Sequence, residues 1–280
     1  MRTFDRKFGS DFLAGVPPLP GVYRFYDEAG TLLYVGKARD LRRRLAQYRT
    51  TRRRQRDRKR RELVRAAARI VWDVAESELD ASLREVRMIQ ALGPRGNIAS
   101  AFPFLYPFVG VHAGGREVYF CLTTSPGAFP AFSFHGAFRS RRVTSEAFFA
   151  LRRLLAFVGH PMPRRQCAGL GSAPHSHVFG IRRLPAEWPA MWDRLLRKGA
   201  PEALHALALR LLEHAGALAR RELVHDDLRA LGRFVDEEVS PLARAISATG
   251  YERYPIPQGE RDCLFLEYRH RAAEPGRRGG

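Results

Sequence analysis

Apolar and aromatic residues cluster at Val22, Tyr23, Phe25 and Tyr26, and again at Leu32, Leu33, Tyr34 and Val35. Asp27-Glu28-Ala29-Gly30 separates the two runs. The pattern predicts a β-hairpin over residues 22–35, with Gly30 supplying the positive φ that a tight turn needs. A loop tip at Glu28-Ala29 sets Tyr23 opposite Tyr34, and a bulge at Gly30 shifts that pairing by one. Asp40 then stands as an N-cap before Leu41 and Leu45, an apolar i, i+4 stripe facing the hairpin, with Arg44 and Tyr48 in the row beside it. Residues 63–68 continue as helix and residues 70–74 read as a third strand. Ser77-Glu78-Leu79-Asp80 forms a capping box for a further helix. Its expected buried stripe is Leu79, Leu83, Val86 and Ile89, with Glu85 exposed at the edge.

The second half predicts a hairpin over residues 101–122 turning at Gly114-Gly115, a short strand at 132–136 and a helix at 144–157 with Phe148, Leu151, Leu154 and Leu155 inward. Residues 201–248 read as two or three amphipathic helices, one capped by Asp226 or Asp227 and ending near Gly250. Residues 263–268 read as a last strand and 271–280 as a frayed tail. The expected fold class is α/β of the α+β kind. A first domain, 1–98, holds a small three-stranded antiparallel sheet flanked by helices. A second mixed α/β domain, 99–280, is mostly helical toward its C-terminus and has an accessory role in binding DNA or a partner.

Charge narrows the function classes. Among 280 residues, 48 Lys and Arg stand against 29 Asp and Glu, a net charge of +19. The excess is nearly all arginine, which suits bidentate phosphate contacts, and points to nucleic acid. Residues 49–61 hold nine Arg or Lys and one Asp. Such a run is either a solvated face or a groove lining that neutralises backbone phosphates. No apolar run approaches a membrane span, and Met1-Arg2-Thr3-Phe4-Asp5 lacks a signal core, so no membrane partner and a cytoplasmic location are expected. Cys121, Cys167 and Cys263 are odd in number and far apart, as reduced thiols are.

Gly21-Val22-Tyr23, then Tyr34-Val35-Gly36-Lys37, then Arg44 and Tyr48, resembles the GIY-YIG endonuclease family. The likeness is closest to the N-terminal nuclease domain of the excision-repair nuclease UvrC and its short relative Cho. It covers roughly residues 16–98. The resemblance implies one metal-binding Glu twelve residues before an Asn in a Pro-x-x-Asn segment. Glu85 and Asn97, within Pro94-Arg95-Gly96-Asn97, meet that spacing, with Gly96 where the family has an aromatic residue.

The implied site comprises Tyr23, Tyr34, Lys37, Arg44, Tyr48 and Glu85. Tyr23 is the first choice for general base, with Tyr34 as the alternative or an orienting partner. Lys37 and a cation favour the phenolate. Arg44 holds a non-bridging phosphate oxygen, and Tyr48 either contacts the phosphate or braces Arg44. Glu85 anchors one Mg²⁺ or Mn²⁺, a single carboxylate being enough because the ion keeps waters and takes phosphate oxygens. Gly21, Gly36 and Asn97 support the site. Arg39, Arg43, Arg49, Arg52, Arg53, Arg54 and Arg56 are expected along the DNA path.

The segment Phe134-His135-Gly136-Ala137-Phe138 to Cys167 distantly resembles the region C-terminal to the UvrC nuclease domain. With Cys167 alone there, no iron–sulfur cluster is expected. His175-Ser176-His177 lacks finger-like spacing and reads as a loop. No helix-hairpin-helix, second nuclease or UvrB-binding helical pair is recognisable. The implied function is single incision of damaged or distorted DNA in excision repair, with a loader such as UvrB in question. The alternatives are structure-specific or mobile-element cleavage, or a non-catalytic nucleic-acid-binding module.

Overall fold

The computed structural model describes residues 2–50, 57–100, 106–115 and 117–273. The chain divides into two compact units, Met1–Pro103 with Phe265–Gly280, and Phe104–Leu264.

In the first unit the strands β1 (Gly21–Tyr26), β2 (Leu32–Ala38) and β3 (Arg69–Val74) form an antiparallel sheet in the order β2-β1-β3. Alternation along β1 sends Tyr23 and Phe25 to one face and Val22 to the other. The first face packs on α1 (Thr3–Phe8), α2 (Leu41–Arg49) and α3 (Arg58–Ala66), burying Phe4, Leu41, Leu45, Tyr48 and Val64 with the strand residues. The second face meets α4 (Glu78–Leu92) through Val22, Val35, Ala81 and Ile89. Asp40 caps α2 by accepting the Arg43 N–H at 2.8 Å, and Ser77 caps α4 by accepting that of Asp80 at 3.0 Å.

The hairpin exists as expected, but its register differs. Tyr23 lies opposite Gly36, and Tyr34 opposite Phe25. The reason is the turn. Asp27 closes a five-residue loop, bonding its N–H to Thr31 O at 3.1 Å and taking the Thr31 N–H on Oδ1 at 2.7 Å. A bulge between Phe25 and Tyr26 shifts the pairing again. The two tyrosine rings still meet, with centroids 6.1 Å apart.

The buried face of α4 also differs. Leu79, Leu83 and Val86 are only half-buried, and the sheet-facing line is Ala81, Ser82 and Ile89, with Glu85 half-buried beside it. Small residues let the helix approach the sheet there, and this draws Glu85 inward.

The second unit holds a five-stranded antiparallel sheet in the order β6-β4-β5-β8-β7. Its strands are β4 (Phe108–Gly114), β5 (Glu117–Thr123), β6 (Ser133–His135), β7 (His160–Pro161) and β8 (His177–Arg182). Between them come α5 (Arg141–Val158) and the short α6 (Arg164–Cys167). Phe148, Leu151, Leu154 and Leu155 of α5 are buried, as their spacing predicts. After the sheet come α7 (Trp188–Lys198), α8 (Glu202–Leu212), α9 (Ala215–Leu218), α10 (Arg221–Phe234), a π-helical turn (Val235–Val239) and α11 (Ser240–Thr249); α12 (Arg261–Ala272) follows, its residues from Phe265 onward belonging to the first unit. The π-helical turn carries Glu238, which accepts the Arg139 and Ser140 N–H groups at the start of α5.

Two expectations here are corrected. Asp226 and Asp227 lie inside α10 and cap nothing; Asp227 is buried and takes Arg153 bidentately at 2.9 and 2.6 Å. Residues 263–268 are helical, within α12. A short apolar run does not distinguish helix from strand by periodicity, and the leucines, arginines and glutamate around it favour helix. Among the described residues no helix is long and apolar enough to cross a membrane.

Candidate functional site

The site is organised by β2, the edge strand beside β1. The face toward α2 carries a hydrogen-bonded cluster. Arg44 Nε donates to the Tyr23 hydroxyl at 3.0 Å, and that hydroxyl lies 3.1 Å from the Tyr48 hydroxyl. Gln47 Oε1 accepts from Arg44 at 3.0 Å, holding the guanidinium across the tyrosines. Tyr34, half-buried, packs against both Tyr23 and Phe25.

The glycines of the two triplets have steric work. A Cβ on Gly36 would stand 2.5 Å from the Tyr23 ring and hydroxyl, and one on Gly21 would stand 2.3 Å from Asp73 O. Gly96 is also required, because a Cβ there would lie 2.7 Å from Leu33 O and 3.0 Å from the Tyr34 ring. The aromatic residue that the resemblance places before Asn97 has no room in this chain.

The free edge of β2 is satisfied by side chains rather than by another strand. Asn97 accepts the Val35 N–H at 2.9 Å and donates to Val35 O at 2.8 Å. Glu85 Oε1 accepts the Lys37 N–H at 3.1 Å. Lys37 Nζ donates to Ser82 Oγ at 2.7 Å, and Ser82 donates to Glu78 O. Ser82 was not singled out from the sequence; its place three residues before Glu85, on the same side of a helix, is the signal that could have found it. Asn97→Ala should strip both partners from Val35 in a buried place and lower the stability of the first unit by about 1–3 kcal/mol. Urea denaturation checks this, and an unchanged midpoint would show the edge to be satisfied otherwise.

Burial sets the protonation of the cluster. It raises the Tyr23 phenol far above its ordinary range, reinforced by Tyr48 and opposed by Arg44. Burial likewise pushes Tyr34 and Tyr48 up to about 12. The phenols are therefore neutral at neutral pH, against the expectation that Lys37 draws Tyr23 toward phenolate. Lys37 is turned to the opposite face of the sheet, on Ser82. Burial also raises the Glu85 carboxyl, with Lys37 and Arg44 pulling it down.

Among the described residues no three His, Cys, Asp or Glu side chains gather as a metal cage. The donor set at β2 suits a hard cation that brings its own waters. Glu85 uses one oxygen on the Lys37 N–H and has a second to offer.

The expected DNA-path arginines divide. Arg52, Arg53, Arg54 and Arg56 lie outside the described residues. Arg43 is exposed on α2, and Arg39 is exposed 3.6 Å from Glu78. Arg49 pairs with Asp5 at 2.6 Å, so part of its charge is already used within the fold.

Known proteins place the same stretch. Residues 19–98 match the UvrC-like GIY-YIG domain. The chain is 34% identical over 176 residues to UvrABC system protein C of Serratia proteamaculans, covering 58% of this chain and 25% of that protein. It is 41% identical over 102 residues to the Proteus mirabilis protein of the same name, covering 36% and 16%. The matched region thus spans a quarter or less of these relatives. A crystal structure of the GIY-YIG N-terminal endonuclease domain of UvrC from Thermotoga maritima, bound to magnesium, is 26% identical and covers 35% of this chain and 98% of that domain, with a TM-score of 0.29. Spacing, steric fit of the glycines and sequence match agree that residues 19–98 of this chain are a UvrC-like GIY-YIG domain.

Proposed function

We propose that this chain is a metal-dependent DNA endonuclease making a single incision near damage in nucleotide excision repair, in the cytoplasm. Residues 1–98 are the nuclease module and 99–280 an accessory domain. The observation that carries the reading is the Tyr23–Arg44–Tyr48 cluster beside a β2 edge capped by Glu85.

Tyr23 is proposed as general base, with its hydroxyl held by Arg44 and Tyr48 in one orientation. Burial opposes its ionisation and Arg44 favours it, so Arg44 serves twice, on the phenol and on a phosphate oxygen. Tyr48 braces both. Tyr34 packs against the Tyr23 ring and orients it. Lys37 is fixed on Ser82 and holds negative charge near Glu85. Glu85 would hold Mg²⁺ or Mn²⁺, which when bound supplies Lewis acidity for the phosphate.

Incubation of the purified protein with Mg²⁺ or Mn²⁺ and nicked, looped, lesion-bearing and intact duplexes tests this, with and without a UvrB-type loader. A cut at one position beside the lesion is expected. Cuts confined to looped or intact DNA would move the protein to structure-specific or mobile-element cleavage, and no cuts in any arm would leave a binding module.

The basic run of residues 49–61 is proposed to track the phosphates. Neutralising Arg52, Arg53 and Arg54 should weaken binding to all sequences alike and flatten the slope of log affinity against log salt by roughly 0.9 per lost contact. An unchanged slope returns the run to a solvated surface.

A further inference from the structure

The second unit carries an open cavity of ≈ 600 Å³ between α5 and the β7–β8 edge of its sheet. Its floor is aromatic. Phe148 and Phe179 meet there with centroids 5.1 Å apart. Half-buried Phe149 meets exposed His177 edge-on at 5.0 Å and carries the Arg152 guanidinium 5.4 Å above its ring. Arg164 stands on the α6 wall. Among the described residues no Asp or Glu lines the cavity, and Arg153 at its rim is already neutralised by Asp227. An aromatic floor alone would suit any apolar ligand, and arginines alone any anion. Together, at this size, they suit a flat heteroaromatic ring that carries a phosphate.

We propose that this groove binds one unpaired nucleotide, its base against Phe149 and His177 and its phosphate toward Arg152 and Arg164. The site belongs wholly to the second unit and uses no metal, so it stands apart from the nuclease reading. The same chemistry is offered by a free nucleotide and by an unpaired residue within a strand.

The test uses the full chain in EDTA, with thymidine monophosphate and an oligothymidylate, some residues replaced by 4-thiothymidine for photo-crosslinking. Crosslinks should map to the peptides carrying Phe149 and His177. Phe149→Ala should weaken oligonucleotide binding by about tenfold, and Phe149→Trp, which keeps a stacking face, should restore it. Arg152→Ala with Arg164→Ala should flatten the salt slope by about 0.7 per lost contact. Thymidine monophosphate displacing the oligonucleotide from the groove identifies a free nucleotide as sufficient; binding of the oligonucleotide alone assigns the site to a strand. Crosslinks that avoid the groove in the parent protein, or equal displacement by polyglutamate, would overturn the proposal. Incision is not read in any arm, so failure here leaves the nuclease assignment intact and loss of incision leaves this one standing.

Discussion

Glu85→Gln should give a protein that folds, binds DNA about as the parent does, and cuts it slower by a factor on the order of a thousand. The choice of glutamine rests on the edge of β2. Glu85 Oε1 accepts the Lys37 N–H, and an amide oxygen in the same place still accepts it. The strand edge is therefore kept while the negative charge is lost. Glu85→Ala makes the contrast. It removes the acceptor as well, so that variant should lose both cutting and about 1 kcal/mol or more of stability. A divalent cation held by few protein ligands depends on each of them, and a neutral amide is a poor substitute for the carboxylate. The loss corresponds to several kcal/mol of transition-state stabilisation. Cleavage assays across Mg²⁺ concentrations, with urea denaturation of both variants, separate the two effects. Parent-like Mg²⁺-dependent cleavage by Glu85→Gln would sink the metal assignment and most of the mechanism with it.

Tyr23→Phe should cost about a hundredfold or more in cleavage with the fold retained. Its hydroxyl is the meeting point of Arg44 and Tyr48, and deleting it leaves the Arg44 Nε–H short of an acceptor in a half-buried place. A stability loss of about 1–2 kcal/mol is expected from that, too little to unfold the domain. The pH profile carries the sharper distinction. Burial holds the phenol above its ordinary value of about 10, so across pH 7–9 the phenolate fraction grows roughly tenfold per unit. The parent's cleavage rate should climb with a log slope near one over that window, and Tyr23→Phe should lose the slope as well as the rate. If Tyr34→Phe instead loses both while Tyr23→Phe cuts normally, the two tyrosines exchange roles.

The signals legible in the chain were local ones. Asp40 and Ser77 cap the helices they precede because a side-chain acceptor need reach only three residues onward. Leu41 and Leu45 are buried because a helix puts i and i+4 on one face. The two triplets, Arg44, Tyr48 and the Glu85-to-Asn97 spacing carry the likeness to the domain in the sequence alone. What tertiary structure decided was everything settled between distant residues. Asp27 and a bulge moved the hairpin register so that Tyr23 crosses Gly36 rather than facing Tyr34, a choice between pairings of similar local quality. Glu85, expected to be exposed at the edge of its helix, is half-buried and accepts the N–H of an edge-strand residue 48 positions away, because α4 turns Ala81, Ser82 and Ile89 rather than its leucines to the sheet. Asp226 or Asp227 is the expected helix cap by residue type, yet both lie inside α10, where Arg153, 74 residues earlier, pairs with Asp227. Periodicity and capping are written within a few residues of chain; burial, edge satisfaction and ion pairing depend on which surfaces meet, and only the folded chain brings those together.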